Sequence, residues 1–332
     1  MIWIVSLGLA FAVTYSLTPL MRKIALKWKI LDYPRTSLKS HRLPVPYLGG
    51  VAIYLGFLLG LLPAIFTRKL DDSRIYALLV GGTLIMILGL VDDLKDLSPS
   101  VKLIVETGAA LVLVFSGIRI EFITQPVLSA VISVLWVVGV TNALNFVDIM
   151  DGLSAGIAAI AALTFYFIAL PGEQPFVNFA SLTLAGATLG FLKYNYRPAK
   201  IFMGDAGSLS IGYLLAALAI GESYTRVNNI ALLSPILILG IPLYDMILVT
   251  TLRALRGKSI FRGSNDHFAL RLQGLGLSRD NVVRLIHGLC ILLGFIAYLI
   301  TRVKFQWAVL IYALIVMISL MVGNILARVE VK

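Results

Sequence analysis

The chain has 332 residues, of which 59% are hydrophobic and only 14% are charged, and its mean hydropathy is +0.94. Because soluble domains carry roughly 25% charged residues, this composition excludes an ordinary soluble domain and indicates a polytopic membrane protein. The formal net charge is +11. In a membrane protein such charge collects in loops on one side, so we expect no nucleic-acid partner. A single cysteine excludes a disulfide framework.

Apolar runs recur along the whole chain, and about eleven of them are candidate membrane-crossing helices. They lie at roughly 2–21, 47–66, 74–91, 101–117, 127–144, 153–170, 176–194, 207–220, 229–252, 282–301 and 306–326. The first run lacks a basic n-region and a small-residue cleavage site, so we interpret it as a retained helix rather than a signal peptide. No internal repeat divides the chain. We therefore expect one all-α membrane domain over residues 1–332.

The distribution of lysine and arginine predicts the orientation of these helices. If the N-terminus is outside, about three quarters of these residues lie in inner loops, as the positive-inside rule requires. The odd number of helices then places the C-terminus in the cytoplasm. This topology corresponds to a multi-pass protein of the cell inner (cytoplasmic) membrane, whose basic loops also attract anionic membrane lipids.

Aspartates stand at the ends of several apolar runs, and in the predicted topology all of them face the cytoplasm. They are Asp92, Asp93, Asp148, Asp151 and Asp205. Carboxylates are costly in a membrane, so their presence there favours a functional site. Mg²⁺ is usually held by one or two carboxylates together with substrate phosphates. Acids for a cation, beside basic loops for phosphates, predict an enzyme that acts on a lipid with a charged head.

The stretch VDDLKDLSPSVKL brings two adjacent aspartates to the end of a helix. Side chains of neighbouring residues do not share one face of a helix, so Asp92 and Asp93 have different partners. One of the two side chains can face a metal or phosphate. The alternative interpretation of the pair is an ordinary solvated helix end. Lys102, at the start of the next helix, either contacts a phosphate or extends to the membrane interface.

The stretch TNALNFVDIMDGLSAG carries polar residues at every third position. On a helix, Asn142, Asn145, Asp148 and Asp151 form one slowly drifting polar stripe. Such a stripe at the end of a membrane helix lines a cavity or packs through side-chain hydrogen bonds. With two acids among four residues, we favour the cavity.

The stretch PAKIFMGDAGSLSIG sets Asp205 beside Gly204 and Gly207, where a new apolar run begins. The backbone N–H groups of a helix start attract anions, and the Asp205 carboxylate attracts a cation. Together they suit a metal–phosphate complex. Asp245, in PLYDMILVTTLR, lies about two turns inside an apolar run, where it either bonds a neighbouring helix or supports the acid cluster.

Two basic loops carry the loop histidines. KSHRLPVPYLGG contributes Lys39, His41 and Arg42, and RALRGKSIFRGSNDHFALRL contributes Arg262 and His267. Dense positive charge of this kind is usually a solvated inner loop. Its position beside the acids also makes it a candidate for binding phosphates.

These motifs, in this order, resemble those of the polyprenyl-phosphate N-acetylhexosamine-1-phosphate transferase superfamily (glycosyltransferase 4). The resemblance spans about residues 39 to 271 and is greatest to the bacterial undecaprenyl-phosphate GlcNAc-1-phosphate transferases. It implies that undecaprenyl (polyprenyl) phosphate attacks the β-phosphorus of a UDP-N-acetylhexosamine and releases UMP. It also implies Mg²⁺ as cofactor, with Mn²⁺ as a possible substitute.

The resemblance assigns roles to individual residues of this chain. Asp205 would bind the metal with Asn145 close by, and Asp92 and Asp93 would orient or deprotonate the lipid phosphate. Asp151 and Phe202 would hold and stack on the uracil, and Lys102 would lie near the phosphates. We therefore expect three groups of site residues: catalytic Asp92, Asp93 and His267; metal-binding Asp205 and Asn145; and substrate-binding Lys39, His41, Arg42, Lys102, Asn142, Asp148, Asp151, Phe202 and Arg262.

One departure from the family pattern bears on the choice of substrate. The superfamily has a histidine cluster of the HxHH type in this loop, whereas HFALRL retains only His267. This loss argues against the muramoyl-pentapeptide transferases, which stay an alternative, and the sugar is left open among GlcNAc, GalNAc and others. A transporter and a basic membrane scaffold are the alternatives from other classes. Transporter sites lie near the bilayer midplane between repeats, which this pattern lacks. The oligomeric state is open, with a homodimer possible.

Overall fold

A computed structural model of the chain describes residues 2–33, 44–67, 70, 73–172, 174–221, 224, 227–259, 264 and 266–329. Thirteen α-helices, two short 3-10 helices (Leu170–Gly172 and Asn229–Leu233) and one two-stranded ladder make up the regular structure of this part. The helices are α1 (Ile2–Lys27), α2 (Gly49–Phe66), α3 (Ser73–Lys95), α4 (Pro99–Phe115), α5 (Pro126–Phe146), α6 (Leu153–Ala169), α7 (Pro175–Asn195), α8 (Gly204–Ile220), α9 (Ser234–Ile238), α10 (Gly240–Leu255), α11 (Phe268–Gly274), α12 (Arg279–Ile300) and α13 (Phe305–Ala327). The strands are β1 (Leu31–Asp32) and β2 (Val45–Pro46), which pair antiparallel.

The chain is an all-α polytopic membrane protein. Within the described residues, eight helices are long and apolar enough to cross a membrane, and they are α1, α2, α3, α5, α6, α7, α12 and α13. A ninth span is formed if Asn229–Ile238 and α10 are counted together, although the two parts are bent by 73°. The remaining two predicted segments coincide with α4 and α8, which have 17 residues each. The count of eleven and the orientation stay predictions.

The interior of the bundle is built around α7 and α8. Nearly every residue of α8 is buried, and α7 is buried along most of its length. Helices α1, α2 and α6 pack on α7, while α3 and α5 pack on the two sides of α8. By contrast, α13 has only Ala308 and Leu326 buried, so its apolar surface faces outward as a lipid-exposed helix does. The start of α8 therefore lies between the last turns of α3 and α5.

The contact between α2 and α8 depends on two glycines that face each other. A Cβ atom added to Gly50 would lie 2.1 Å from the backbone nitrogen of Gly207, so no larger residue fits without moving a helix. Small residues allow membrane helices to approach this closely. The approach holds the start of α8, and with it Asp205, against the start of α2.

We expect Gly50→Val to lower the free energy of unfolding by about 3 kcal/mol, the upper range for overpacking, because the added carbons meet backbone rather than flexible side chains. The measurement is the thermal melting temperature of the purified protein in detergent. Gly139→Val is the matched control, since a Cβ at Gly139 meets nothing within 4 Å. Equal melting temperatures for the two variants would contradict the close-packing argument.

The segment before α2 is hydrogen-bonded to the segment before α8. Tyr47 forms a parallel bridge with Phe202. The Phe202 N–H donates to Pro46 O at 2.9 Å, and the Gly49 N–H donates to Phe202 O at 3.0 Å. These bonds fix the backbone of Phe202 beside Tyr47.

A buried arginine of α11 links the loop after α10 to the C-terminal end of α13. Arg271 has no exposed surface and donates to the backbone oxygens of Leu326 (2.6 Å) and Val329 (2.8 Å). It also pairs with Asp266, which pairs in turn with Arg256 at 2.9 Å. Burial by itself would raise the pKa of Asp266, but the Ser264 hydroxyl and the two arginines outweigh burial and lower it.

Candidate active site

A cavity of about 390 Å³ lies at the end of the bundle where α3 and α5 finish and α8 begins. Seven of the predicted site residues line it, and they are Asp92, Asp93, Asn145, Asp148, Asp151, Phe202 and Asp205. Asp32, Tyr47, Asp96 and Asn195 line it as well. Seven carboxylates, including that of Asp205, therefore face one small space, and five of them belong to the aspartates that the sequence predicts to converge.

Asp92 and Asp93 have different partners, as their adjacency on α3 requires. Asp92 is 6% exposed; its Oδ1 accepts the Leu97 N–H at 2.7 Å, and its Oδ2 contacts Lys102 Nζ. Asp93 accepts the N–H groups of Asp205 (2.8 Å) and Ala206 (3.2 Å) with its two oxygens. The anion held by the start of α8 is thus the Asp93 carboxylate.

Asp205 is held by groups from two other helices. Its Oδ1 accepts the Asn145 amide N–H at 2.9 Å, and its Oδ2 accepts the Lys102 ammonium at 3.0 Å. The Asn145 amide also donates to the Ser208 hydroxyl at 2.9 Å. Lys102 does not line the cavity, but its Nζ lies between Asp92 and Asp205 and neutralises part of their charge.

Asp148 and Asp151 line the cavity from a turn, and the prediction of a continuous helical stripe is wrong for them. Helix α5 ends at Phe146, and the chain turns through Gly152, whose φ is +76°, before α6 begins. Asp151 accepts the Ala199 N–H at 3.0 Å. Burial, followed by the charges of Asp205 and Asp151, raises the pKa of Asp148 to about 7.

Asn142 has a partner other than the one expected. Its amide donates to Glu106 of α4 and to Val138 O at 2.9 Å, and Asn142 does not line the cavity. Glu106 is buried in the same apolar run as Lys102. The four predicted basic-loop residues Lys39, His41, Arg42 and Arg262 lie outside the described residues.

His267 lies beside the acid cluster rather than in it. Its Nδ1 pairs with Asp245 Oδ2 at 2.7 Å, and the other oxygen of Asp245 accepts the Phe268 N–H. Both oxygens of this buried carboxylate therefore bind His267 and the start of α11. Of the two roles left open for Asp245, the structure shows the hydrogen bond to a neighbouring helix. The ring meets Phe146, next to Asn145, edge-on at 6.0 Å.

If Asp245 orients His267, Asp245→Ala should lower turnover roughly tenfold to a hundredfold, the range found for carboxylates that orient metal-bound histidines. The measurement is a double-mutant cycle with His267→Ala, in which the effect of Asp245→Ala should vanish once the histidine is absent. Asp280→Ala, which removes an exposed carboxylate, is the control. Additive losses would contradict a role through His267.

Tyr47 and Asn195 are lining residues that the sequence analysis missed. The Tyr47 hydroxyl donates to Asp93 O at 2.8 Å, and burial, followed by the charges of Asp93 and Asp32, raises its pKa to about 12. Asn195 accepts the Gly152 N–H at 3.0 Å and donates to Ile201 O at 3.1 Å, so it joins the walls of the cavity. The only sequence signal for Tyr47 was its position in KSHRLPVPYLGG.

The fold and the cavity together define a membrane protein with an acidic site at the ends of its helices. Comparison with known proteins names the class: residues 75–222 match the model of glycosyl transferase family 4. A probable undecaprenyl-phosphate N-acetylglucosaminyl 1-phosphate transferase of Bacillus subtilis (strain 168) is 37% identical over 84% of this chain and 78% of its own length.

Two further relatives extend this similarity. An undecaprenyl-phosphate alpha-N-acetylglucosaminyl 1-phosphate transferase of Thermotoga maritima is 32% identical over 77% of each chain. A phospho-N-acetylmuramoyl-pentapeptide-transferase of Halalkalibacterium halodurans is 32% identical over 82% of this chain and 89% of its own. The chain belongs to glycosyl transferase family 4, which confirms the resemblance to the polyprenyl-phosphate hexosamine-1-phosphate transferases.

Proposed function

We propose that the protein transfers N-acetylglucosamine-1-phosphate from UDP-GlcNAc to undecaprenyl phosphate, releasing UMP and initiating the synthesis of a cell-envelope polysaccharide. The observation that carries this proposal is the convergence of the α3, α5–α6 and α8 carboxylates on one cavity, with Lys102 paired to two of them, Asp92 and Asp205. Phosphoryl transfer depends mainly on positioning and on neutralising spread negative charge. The names of the Bacillus subtilis and Thermotoga maritima relatives support the choice of sugar and lipid.

The proposed reaction exchanges one phosphorus–oxygen bond for another. An oxygen of the lipid phosphate forms a bond to the β-phosphorus of UDP-GlcNAc, and the bond from that phosphorus to the bridging oxygen breaks. The electron pair leaves with UMP, and undecaprenyl-pyrophosphoryl-GlcNAc is formed. A phosphate monoester is already mostly ionised at neutral pH, so Asp92 serves to orient the nucleophile as readily as to deprotonate it.

The donor set suits Mg²⁺ held jointly with the substrate. The described residues contain no group of three or more His, Cys, Asp or Glu side chains arranged around one metal position. Mg²⁺ does not need one, because it keeps several waters and binds through one or two carboxylates plus phosphates. Asp205 would hold it, Asn145 would orient that carboxylate, and Mn²⁺ would substitute. When bound, the ion supplies charge neutralisation on the pyrophosphate.

We further propose that the cavity opens on the cytoplasmic face of the inner membrane, with the N-terminus outside. The basic loops support this orientation. In the same proposal, Phe202 and Asp151 contact the uracil, while Asp148 and Lys102 lie near the phosphates.

A transporter is the rival from another class, and the position of the acids argues against it. Asp92 and Asp93 stand in the last turn of α3, and Asp205 is the second residue of α8. Transporter sites are formed near the midplane by interrupted helices. The acids here lie at helix ends, where a nucleotide can reach them from water.

The test is UMP release by the purified protein with undecaprenyl phosphate and Mg²⁺, using UDP-GlcNAc or UDP-MurNAc-pentapeptide as donor. We expect release with UDP-GlcNAc and its loss on chelation. Release with the pentapeptide donor alone would move the protein to the muramoyl branch, and retention after chelation would overturn the role of the metal. No release with either donor from folded protein would overturn the proposal.

A further inference from the structure

The cation expected at Asp205 has a competitor within the protein. The Lys102 ammonium lies between Asp205 and Asp92, at 3.0 Å from Asp205 Oδ2 and in contact with Asp92 Oδ2. A divalent ion that binds Asp205 must share this space with a positive charge or displace it. Displacing Lys102 leaves an ammonium group that needs a new acceptor, because a charge without a partner in low dielectric is costly.

An acceptor lies one helical turn away. Glu106 follows Lys102 by four residues on α4, a spacing that puts two side chains on the same face of a helix about 5–6 Å apart at Cβ. Glu106 is 2% exposed. Its Oε2 accepts the Asn142 amide, whereas its Oε1 is buried and has no hydrogen-bond partner among the described residues. A half-satisfied buried carboxylate is itself unfavourable, which calls for an explanation.

We propose that Glu106 is the acceptor to which Lys102 moves when a divalent cation binds at Asp205, so that Lys102 is the internal counter-ion of the site. The inference rests on the proposed metal role of Asp205. The charges involved in the exchange support it: the two carboxylates that Lys102 contacts, the carboxylate of Glu106 and the one ammonium leave two negative charges, which one divalent ion balances. Asn142, anchored by Val138 O at 2.9 Å, holds Glu106 in place.

The exchange has a consequence for the affinity of the cation. Moving Lys102 to Glu106 recovers an ion pair, so the carboxylate of Glu106 lowers the free energy of the loaded state. Without that carboxylate, the ammonium either stays at Asp205 and repels the ion or moves without a partner. Without the ammonium, Glu106 has nothing to accept, and its effect on the ion should be small.

The test is Mn²⁺ binding to the purified full-length protein in detergent, without substrate, followed by electron paramagnetic resonance. Glu106→Gln should weaken binding about tenfold when Lys102 is present and less than twofold in the Lys102→Met background, where binding should be tighter than in the unsubstituted protein. Glu121→Gln, at an exposed position in the connection between α4 and α5, is the control for loss of one negative charge.

Equal weakening by Glu106→Gln in both backgrounds would overturn the proposal, since it would mean a general electrostatic or structural effect. No weakening in either background would overturn it too. If Asp205→Asn bound Mn²⁺ as the unsubstituted protein does, the cation would lie elsewhere and the exchange would be excluded. That outcome leaves UMP release as a separate measure of the transfer reaction, so the two failures are distinguishable.

Discussion

Asp205→Asn is expected to lower UMP release by about three orders of magnitude or more while leaving the helices folded. The reason is that the Asp205 carboxylate accepts bonds from Lys102 and Asn145 at the centre of the acidic cavity. An amide of the same shape removes the charge that would bind the ion and one of its two acceptor oxygens. The loss of a group that neutralises developing charge is usually worth two to three orders of magnitude, and loss of the metal itself adds to it.

The measurement is UMP release at saturating UDP-GlcNAc and Mg²⁺, together with the thermal melting temperature in detergent. Asp280→Asn is the matched control, because that carboxylate is exposed and pairs only with the exposed Arg197 among the residues described. The expected result combines lost turnover with an unchanged or slightly altered melting temperature. Turnover like that of the unsubstituted protein would remove Asp205 from the metal site.

The local part of this site could be predicted from the sequence because hydropathy locates the ends of membrane helices. Asp92, Asp93 and Asp205 each stand at such an end, and the structure brings all three to one cavity. Their convergence required only that the helices alternate in direction. The prediction for α5 was less successful. A period of three residues suggested a helix through Asp151, whereas the helix ends at Phe146 and Gly152 turns the chain.

The pairs that hold the site together could not be predicted, since each joins residues far apart in the chain. Asp245 and His267 are 22 residues apart, and Asn142 and Glu106 are 36 apart. Glu106 also lies inside an apolar run, where a single acid has no neighbouring motif to mark it. Hydropathy and spacing along one helix carry no information about which side chain of another helix lies opposite. Packing of α4 against α5, and of α10 against α11, decides these partners.

The position of Asp93 leads to the second large effect. Asp93→Asn should lower UMP release by about a hundredfold or more and should also weaken Mn²⁺ binding by about tenfold. Asp93 accepts two N–H groups at the start of α8, from Asp205 and Ala206. Asparagine offers one acceptor oxygen and turns an N–H toward the other donor, so the first turn of α8 loses a partner. Because Asp205 belongs to that turn, its carboxylate should shift.

A second substitution, in α8 rather than α3, tests the same contact between Asp93 and the start of α8. Gly204 has a φ of +69°, and a Cβ added there would lie 2.4 Å from Asp93 Oδ2. Gly204→Ala should therefore push the Asp93 carboxylate away from the start of α8 and reduce Mn²⁺ binding and turnover together. Gly108→Ala is the control, since a Cβ at that position meets nothing within 4 Å.

The measurement of Mn²⁺ affinity separates two roles for Asp93. A carboxylate that only orients or deprotonates the lipid phosphate can be lost without changing how the free protein binds the ion. A carboxylate that positions the start of α8 cannot be lost without weakening Mn²⁺ binding, because Asp205, the proposed metal ligand, moves with the first turn of that helix. Lost turnover with unchanged Mn²⁺ affinity in both Asp93→Asn and Gly204→Ala would assign Asp93 to the lipid phosphate alone. Joint loss in both variants would make it the residue through which α3 positions Asp205.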